Sequence, residues 1–562
     1  MSLPRHDSRS VADAARTADD TDNSRRRFVL ATAGSALALG TGFGLSACGG
    51  GDDQGDERFG YGVASGDPLG DRVILWTRVN GMSGPTEVQW EVATDTGFAN
   101  VVRNGTAGTD ADRDFTVKVD ATGLQPGTVY FYRFRQGSEI SVTGRTKTLP
   151  AGSPQQVRMA VFSCAAYPLG QFHVYADAAR RADFDLGLFL GDYIYETGLS
   201  DVEQTAAAAL GRKVDPQGEL HTLGEYRLRY RRYHTDSSLR ALRAAMPLIA
   251  VWDDHEIANG TWRGGDGADS AAAFVARRAA AAQAWHEWLP TRTGTDPLKI
   301  YRSFEFGNLL TLHMLDTRVI GRDAPITRDQ YLADAAADPN RQLLGAEQAS
   351  WLATGMQTSG AIWQVMGQQV LMGRMQIPLS VFDNFTEGSI AEYLQALDTA
   401  EAARTERQRV LLSQPRIGYD LGTWDGYAAA REQVFATART LDKNLVVLSG
   451  DSHNAWASDL KDSGGHNVGV ELATPSVTST GLEIEHRDIG RQFLADAFIR
   501  MVPDLRYAET SHRGYLIVTF TPAQAIADWV FVSSPLDNSY STNPGPRLKT
   551  LPGAANRVLQ PG

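Results

Sequence analysis

Four apolar stretches of this chain run directly into side chains that bind cations. "VRMAVFSC" ends at Cys164, "FDLGLFLGD" at Asp192, "AAMPLIAVWDD" at Asp254 and "NLVVLSGD" at Asp451. Tyr195 follows Asp192 by three positions and His255 follows Asp254 directly. His453 stands two positions beyond Asp451, so both can face the same way from an extended turn. Thiol, carboxylate, phenol and imidazole together make a metal-ligand set, weighted towards oxygen.

The densest cluster is "VWDDHEIANG", Val251 to Gly260, where Asp253, Asp254, His255 and Glu256 follow an apolar approach. A buried strand avoids such a run, because desolvating an unpaired carboxylate costs several kcal/mol. Solvent, an ion pair or a metal would make it tolerable. Taken singly, each motif has a plainer reading. Cys164 could be a small buried hydrophobe, and each Asp an ion-pair partner or a helix N-cap. Four such endings together point to one site, since ligands of α/β sheets sit beyond the carboxyl ends of strands.

The elements that must position these residues fall into two rhythms. From about Phe59 to Pro150, "RVILWTRV", "EVQWEVAT", "FTVKVDA", "VYFYRFR" and "ISVTGRTKT" alternate with period two between turns. This predicts a small β-sandwich of the fibronectin or immunoglobulin kind over 58–150. After Pro150 buried strands alternate with helical stretches such as "GQFHVYADAARRA" and "SAAAFVARRAAAAQAWHEWL", an α/β pattern over 151–540. "RGYLIVTFTPAQAIADWVFV" reads as a terminal hairpin or edge strands, and 541–562 as a C-terminal tail.

Composition narrows the function classes. The 562 residues are 42% hydrophobic and 9% aromatic, and the net charge is −12. An acidic chain of this kind does not hold a nucleic acid by bulk electrostatics, so no nucleic-acid partner is expected. An anionic ligand would need local cations. With only Cys48 and Cys164, a disulfide framework is excluded apart from a single bridge.

Residues 1–48 explain the first cysteine. "SRRRFVL", with Arg25 and Arg26, precedes a soft apolar stretch and then "LSAC", Leu45 to Cys48. Paired arginines before a weakly apolar segment predict twin-arginine export, to the periplasm or the cell surface. The competing membrane anchor needs about 20 strongly apolar residues, and this stretch is diluted by Gly, Ser and Thr. "LSAC" resembles a lipobox, which would attach a lipid at Cys48; an ordinary cleavage site is the alternative. Residues 49–57 would form a flexible tether.

Together the motifs resemble the PhoD-type alkaline phosphatases and phosphodiesterases, within the metallophosphoesterase group that includes purple acid phosphatases. The matching stretches are "GVASGDP", "VILWTRV", "FSCAAY", "LGDYIYE", "WDDHEIANG", "LDTR" and "SGDSHNAW", covering nearly the whole chain after residue 58. The resemblance implies an α/β/β/α sandwich behind the small β-domain. It implies Fe³⁺ and Ca²⁺ as cofactors. Asp192 would bridge two metals, with Tyr195 and Cys164 on iron and Asp254 on the calcium side. Asp451 and His453 would complete the shell, and His255 would stand off the metals beside the phosphoryl group.

The chain departs from the wider group in replacing several histidines by Asp and Cys. The middle histidine motif has no clear counterpart, "VMGQQV" (Val365 to Val370) filling its place. An oxygen-rich shell favours hard cations over a di-zinc site. Asp253 and Glu256 are expected to orient His255 or nearby backbone rather than bind metal. Arg318 and Asn259 could contact substrate or brace loops.

The expected function is an exported, monomeric phosphoesterase acting on phosphate monoesters, diesters or both. The alternative enzyme is a phosphodiesterase or phospholipase D-like activity on lipid or cell-wall diesters. A different class altogether would be a surface lipoprotein that binds ligands through its β-sandwich.

Overall fold

The computed structural model describes residues 57–562, so the export signal expected over 1–48 and nearly all of the tether lie outside the described residues. Among the described residues no helix is long and apolar enough to cross a membrane.

The strands Val157–Phe162, Leu186–Phe189 and Leu248–Ala250 are parallel neighbours, buried on both faces except at Arg158. That explains their unbroken apolar composition, because a parallel sheet is covered on both sides. They form the centre of a ten-stranded sheet. On one side the hairpin Gly514–Phe520 and Ala525–Val532 joins antiparallel to Val157–Phe162. Thr542–Thr550 and Gln560–Pro561 then form the edge, so half of the expected tail is strand.

A second, seven-stranded sheet holds Trp363–Gln368 and Asn444–Ser449 as parallel neighbours. The two sheets pack face to face. Thr474 donates to Val161 O at 2.9 Å, and Trp529 Nε1 to Ala473 O at 3.0 Å. Along Asn444–Ser449, Val446 and Leu448 enter the core shared with the first sheet. Leu445 and Val447 face outwards to the helices Gly345–Thr358 and Ala428–Thr440. This period-two division is what makes the architecture α/β/β/α.

The N-terminal region is a β-sandwich with one shared layer. Val63–Gly66, Arg72–Arg78 and Thr116–Thr122 extend the first sheet beyond Leu248–Ala250. A separate five-stranded sheet built on Thr86–Ala93 and Val129–Gln136 faces them across a core including Val73, Leu75, Val88, Val119, Tyr132 and Phe134. The junction needs Gly66: a Cβ there would lie 2.5 Å from both Leu248 O and Pro290 O. The strand Val101–Thr109, mostly exposed and rich in Gly, Thr and Asn, carries no periodic signal and escapes sequence reading.

Candidate metal centre

Cys164, Asp192 and Asp254 lie on loops leaving three adjacent strands of the first sheet, whereas Asp451 follows a strand of the second. The cluster therefore forms where the carboxyl ends of two facing sheets converge, not along one sheet edge. Several of its members are held in left-handed backbone: φ is 59° at Cys164, 58° at Asp192, 57° at Asp451 and 60° at His453. Each such non-glycine residue costs on the order of 1 kcal/mol and persists only where its surroundings enforce it. Gly191, at φ 102°, is required beside them, since a Cβ would come within 2.3 Å of Asp253 Cβ.

The side chains converge in three overlapping groups. Ligand-capable atoms of Cys164, Asp192 and His453 lie within 4.8 Å of one another, as do those of Asp192, Asp254 and His255, and those of Asp253, Asp254 and Asp451. The Tyr195 hydroxyl joins the first group, donating to Asp192 Oδ2 at 2.8 Å and lying 3.2 Å from His453 Nε2. All seven residues singled out from the sequence are thus brought together.

Hydrogen bonds set which nitrogen each imidazole presents. His453 Nδ1 lies 2.6 Å from Thr480 O, and a carbonyl can only accept. Nδ1 therefore carries the proton, and the Nε2 lone pair faces Tyr195. His255 Nδ1 lies 2.7 Å from Glu196 Oε2 in the same relation. Asp192 Oδ1 and Asp254 Oδ1 are shielded from solvent and accept no hydrogen bond; Arg318 Nη2 lies 3.5 Å from Asp254 Oδ1, and no cationic side chain pairs with Asp192 Oδ1 among the described residues. A buried, unpartnered carboxylate oxygen is costly unless a cation meets it, so the donor set fits metal ions.

Comparison with known proteins gives the same answer. Residues 159–529 match the family model for the PhoD-like phosphatase, and residues 45–150 the model for the PhoD-like phosphatase N-terminal domain. This chain belongs to the PhoD-like phosphatase family.

A curated relative, alkaline phosphatase D of Bacillus subtilis (strain 168), is 36% identical over 516 residues, covering 88% of this chain and 79% of the relative. A solved structure of PhoD superposes with a TM-score of 0.73 at 31% identity, covering 90% of this chain and 92% of the other. As a PhoD-like phosphatase the chain is a metal-dependent hydrolase of phosphoric esters.

The electrostatics of the PhoD-like site show what a cation would relieve. Burial pushes the Asp192 carboxyl well above its ordinary value, more than the nearby His255 offsets. Burial, with Asp192 adding to it, does the same to the Cys164 thiol and the Tyr195 phenol. Asp254 is the exception. Burial raises it, but Arg318, His255 and the Gly260 amide outweigh that and hold it low. At His255 burial disfavours the imidazolium, yet Glu196, Asp192 and Asp254 raise it well above the usual range.

The acidic run thus has a different partner at each position. Asp253 pairs with Arg318, which donates through Nε and also through Nη2 at 3.3 Å. Arg318 Nη2 reaches Asp451 Oδ1 at 2.8 Å as well. Glu256 accepts from the backbone amides of Asp192 (3.0 Å), Tyr193 (2.5 Å) and Asp253 (2.7 Å). Glu256 braces backbone as expected, but the carboxylate bonded to His255 is that of Glu196, which the sequence reading missed. Its only signal was its place at the end of "LGDYIYE". The "VMGQQV" segment supplies braces: Gln369 Nε2 donates to Trp252 O at 2.6 Å, and its Oε1 accepts from Thr317 N at 3.0 Å.

One helix, Leu223–His234, backs the whole centre, started by a Thr222–Glu225 capping box. Its inner face bonds Tyr195 O through Arg229 and Ile257 O through Tyr226. Tyr233 Oη accepts from the amides of Tyr167 (3.0 Å) and Tyr195 (3.2 Å). Its outer face is gripped by the N-terminal region, Arg231 pairing with Asp114 and Arg227 donating to Asp112 O at 2.5 Å.

Proposed function

We propose that this phosphatase hydrolyses phosphate monoesters and diesters at a mixed centre of Fe³⁺ and Ca²⁺. In this reading Cys164, Asp192, Tyr195 and His453 would hold the ferric ion, and Asp192, Asp254 and Asp451 would hold calcium. Thiolate and phenolate donors favour the ferric state, and the carboxylates favour the hard cation. The observation that carries the reading is the buried Asp192 Oδ1, which has no hydrogen-bond partner, within a cluster that also offers thiol, phenol and imidazole.

When bound, such cations offset the charge of the ester and lower the pKa of a coordinated water towards neutrality. The chain's own contribution is proton placement. His255 keeps Nδ1–H on Glu196, which leaves Nε2–H to donate to the departing ester oxygen. One water adds to phosphorus and the ester P–O bond breaks. The alcohol oxygen takes the Nε2 proton, and the water's surplus proton restores the imidazolium through solvent. Arg318 does not reach out to substrate in this scheme; it holds Asp253 and Asp451 apart and in place.

The twin-arginine signal, a lipid at Cys48, a periplasmic or cell-surface location and a monomeric state belong to the same proposal, and rest on the N-terminal sequence and its motifs. Metal analysis of the purified protein, with a panel of aryl monoesters, bis-aryl diesters and phospholipids, tests the catalytic part. Iron and calcium are expected, with a visible phenolate-to-iron band lost in Tyr195→Phe. A colourless, iron-free, fully active protein would refute the ferric assignment. Retained export after Arg25 and Arg26 are both changed to Lys would refute the route.

A further inference from the structure

We infer that Glu196 is a positioning residue that locks the His255 ring in one orientation, with Nδ1 held on the carboxylate and Nε2 left to serve the substrate. The inference rests on the phosphoesterase reading above. Glu196 is 1% exposed, and both carboxylate oxygens are spent on the His255 loop. Oε2 lies 2.7 Å from His255 Nδ1, and Oε1 accepts from the Asn259 amide at 2.7 Å. The carboxylate thus spans the turn from His255 to Asn259 and fixes both of its ends.

The neighbouring residue grips the same ring from another side. The rings of Tyr195 and His255 have centroids 4.1 Å apart, with planes inclined by 31°. An imidazole bonded at Nδ1 cannot flip about its side-chain axis without losing that bond, and the Tyr195 ring keeps it from tilting out of its plane. Because a carboxylate only accepts, the Nδ1 proton points at Glu196 and Nε2 lies on the far side of the ring from it.

A merely structural role for Glu196 would show in an ion pair with Arg277, the arginine that reaches towards it. That contact is long, 4.0 Å. Arg277 has closer carboxylates of its own, Glu219 at 2.8 Å and Asp266 and Asp269 at 3.4 Å. The short contacts of the Glu196 carboxylate all go to the His255 turn.

The test is a double-mutant cycle on the metal-loaded enzyme with phenyl phosphate, with metal content measured for each variant. Glu196→Ala is expected to lower kcat about 10- to 100-fold, with KM nearly unchanged. Glu196→Gln, whose amide oxygen can still accept from Nδ1–H, should recover most of that. In a His255→Ala background Glu196→Ala should cost little more, because its effect passes through the ring. Crystal structures should show the His255 ring on Tyr195 in Glu196→Gln and released in Glu196→Ala. Additive losses, an unchanged kcat, or a ring that stays in place without Glu196 would overturn the inference. Should Glu196→Ala not fold, Glu196→Asp, whose shorter side chain withdraws the carboxylate from Nδ1, carries the cycle, and a loss there that adds to that of His255→Ala overturns it. A wild-type enzyme inactive on every phosphate ester would instead refute the phosphoesterase reading, and the crystal comparison would still decide the clamp.

Discussion

The Asp192 amide donates to the Glu256 carboxylate across 3.0 Å, joining the loop that bridges the metal groups to the acidic run beyond a neighbouring strand. Glu256 also takes the amides of Tyr193 and Asp253, yet burial pushes its carboxyl up to about 8. Replacing it by Ala strands three buried amides. With about 1–3 kcal/mol for each unsatisfied group, and partial relaxation, Glu256→Ala should lose roughly 2–5 kcal/mol of stability. Urea unfolding checks this, and a loss below about 0.5 kcal/mol, the range of an ordinary surface change, would contradict the brace.

Asp192 is shared between the group holding Cys164 and His453 and the group holding Asp254. Asp192→Asn should therefore deplete both metals, whereas Cys164→Ser should deplete chiefly the metal of its own group. Elemental analysis after dialysis distinguishes them. Stripping the metals with a chelator should also lower Tm, because Asp192, Asp254 and Asp451 then face one another with chiefly Arg318 and His255 to offset them.

Lys118 gives a pH dependence away from the metals. Its ammonium donates to His286 O at 2.8 Å where the N-terminal region meets the catalytic core. Burial pulls it down to about 7, with Asp67 resisting and Arg302 and Arg292 adding to the fall. Between pH 7 and about 10.4 the unfolded chain holds a proton that the folded one has released, so rising pH stabilises the fold through this group. Lys118→Met should raise Tm at pH 6, and the gain should shrink towards zero by about pH 10. An equal gain at both would argue against the titration.

Asp114 links the N-terminal region to the helix behind Tyr195. It is 3% exposed and bonds both Arg78 and Arg231. Asp114→Ala leaves two cations short of a partner and should cost about 3 kcal/mol, the low end for a broken buried pair because Arg231 is partly exposed. Hydrogen exchange should quicken at the Tyr167 and Tyr195 amides, which the same helix holds through Tyr233. Unchanged exchange there would separate the N-terminal region from the centre.

How far the site was legible depended on the range of the interaction. The strand ends were readable because burial on both faces imposes a local apolar run, as in Asn444–Ser449, and ligand types follow it within a few residues. Glu196 was not readable, because its partner lies 59 positions away and any buried Glu looks alike in a sequence. The second sheet's contribution was hidden for the same reason: nothing near Asp451 says that its strand belongs to a different layer from that of Asp192.

The sequence by itself determined the residue types of the centre, the α/β rhythm and the β-rich N-terminal region, since periodicity, turn chemistry and motif spacing are properties of neighbouring residues. Only the tertiary structure decided which partner each acidic residue takes: Arg318 for Asp253, three amides for Glu256, and Glu196 behind His255. Such choices are made by geometry between loops far apart along the chain, where a shift of one ångström turns a hydrogen bond into an unpaired buried charge.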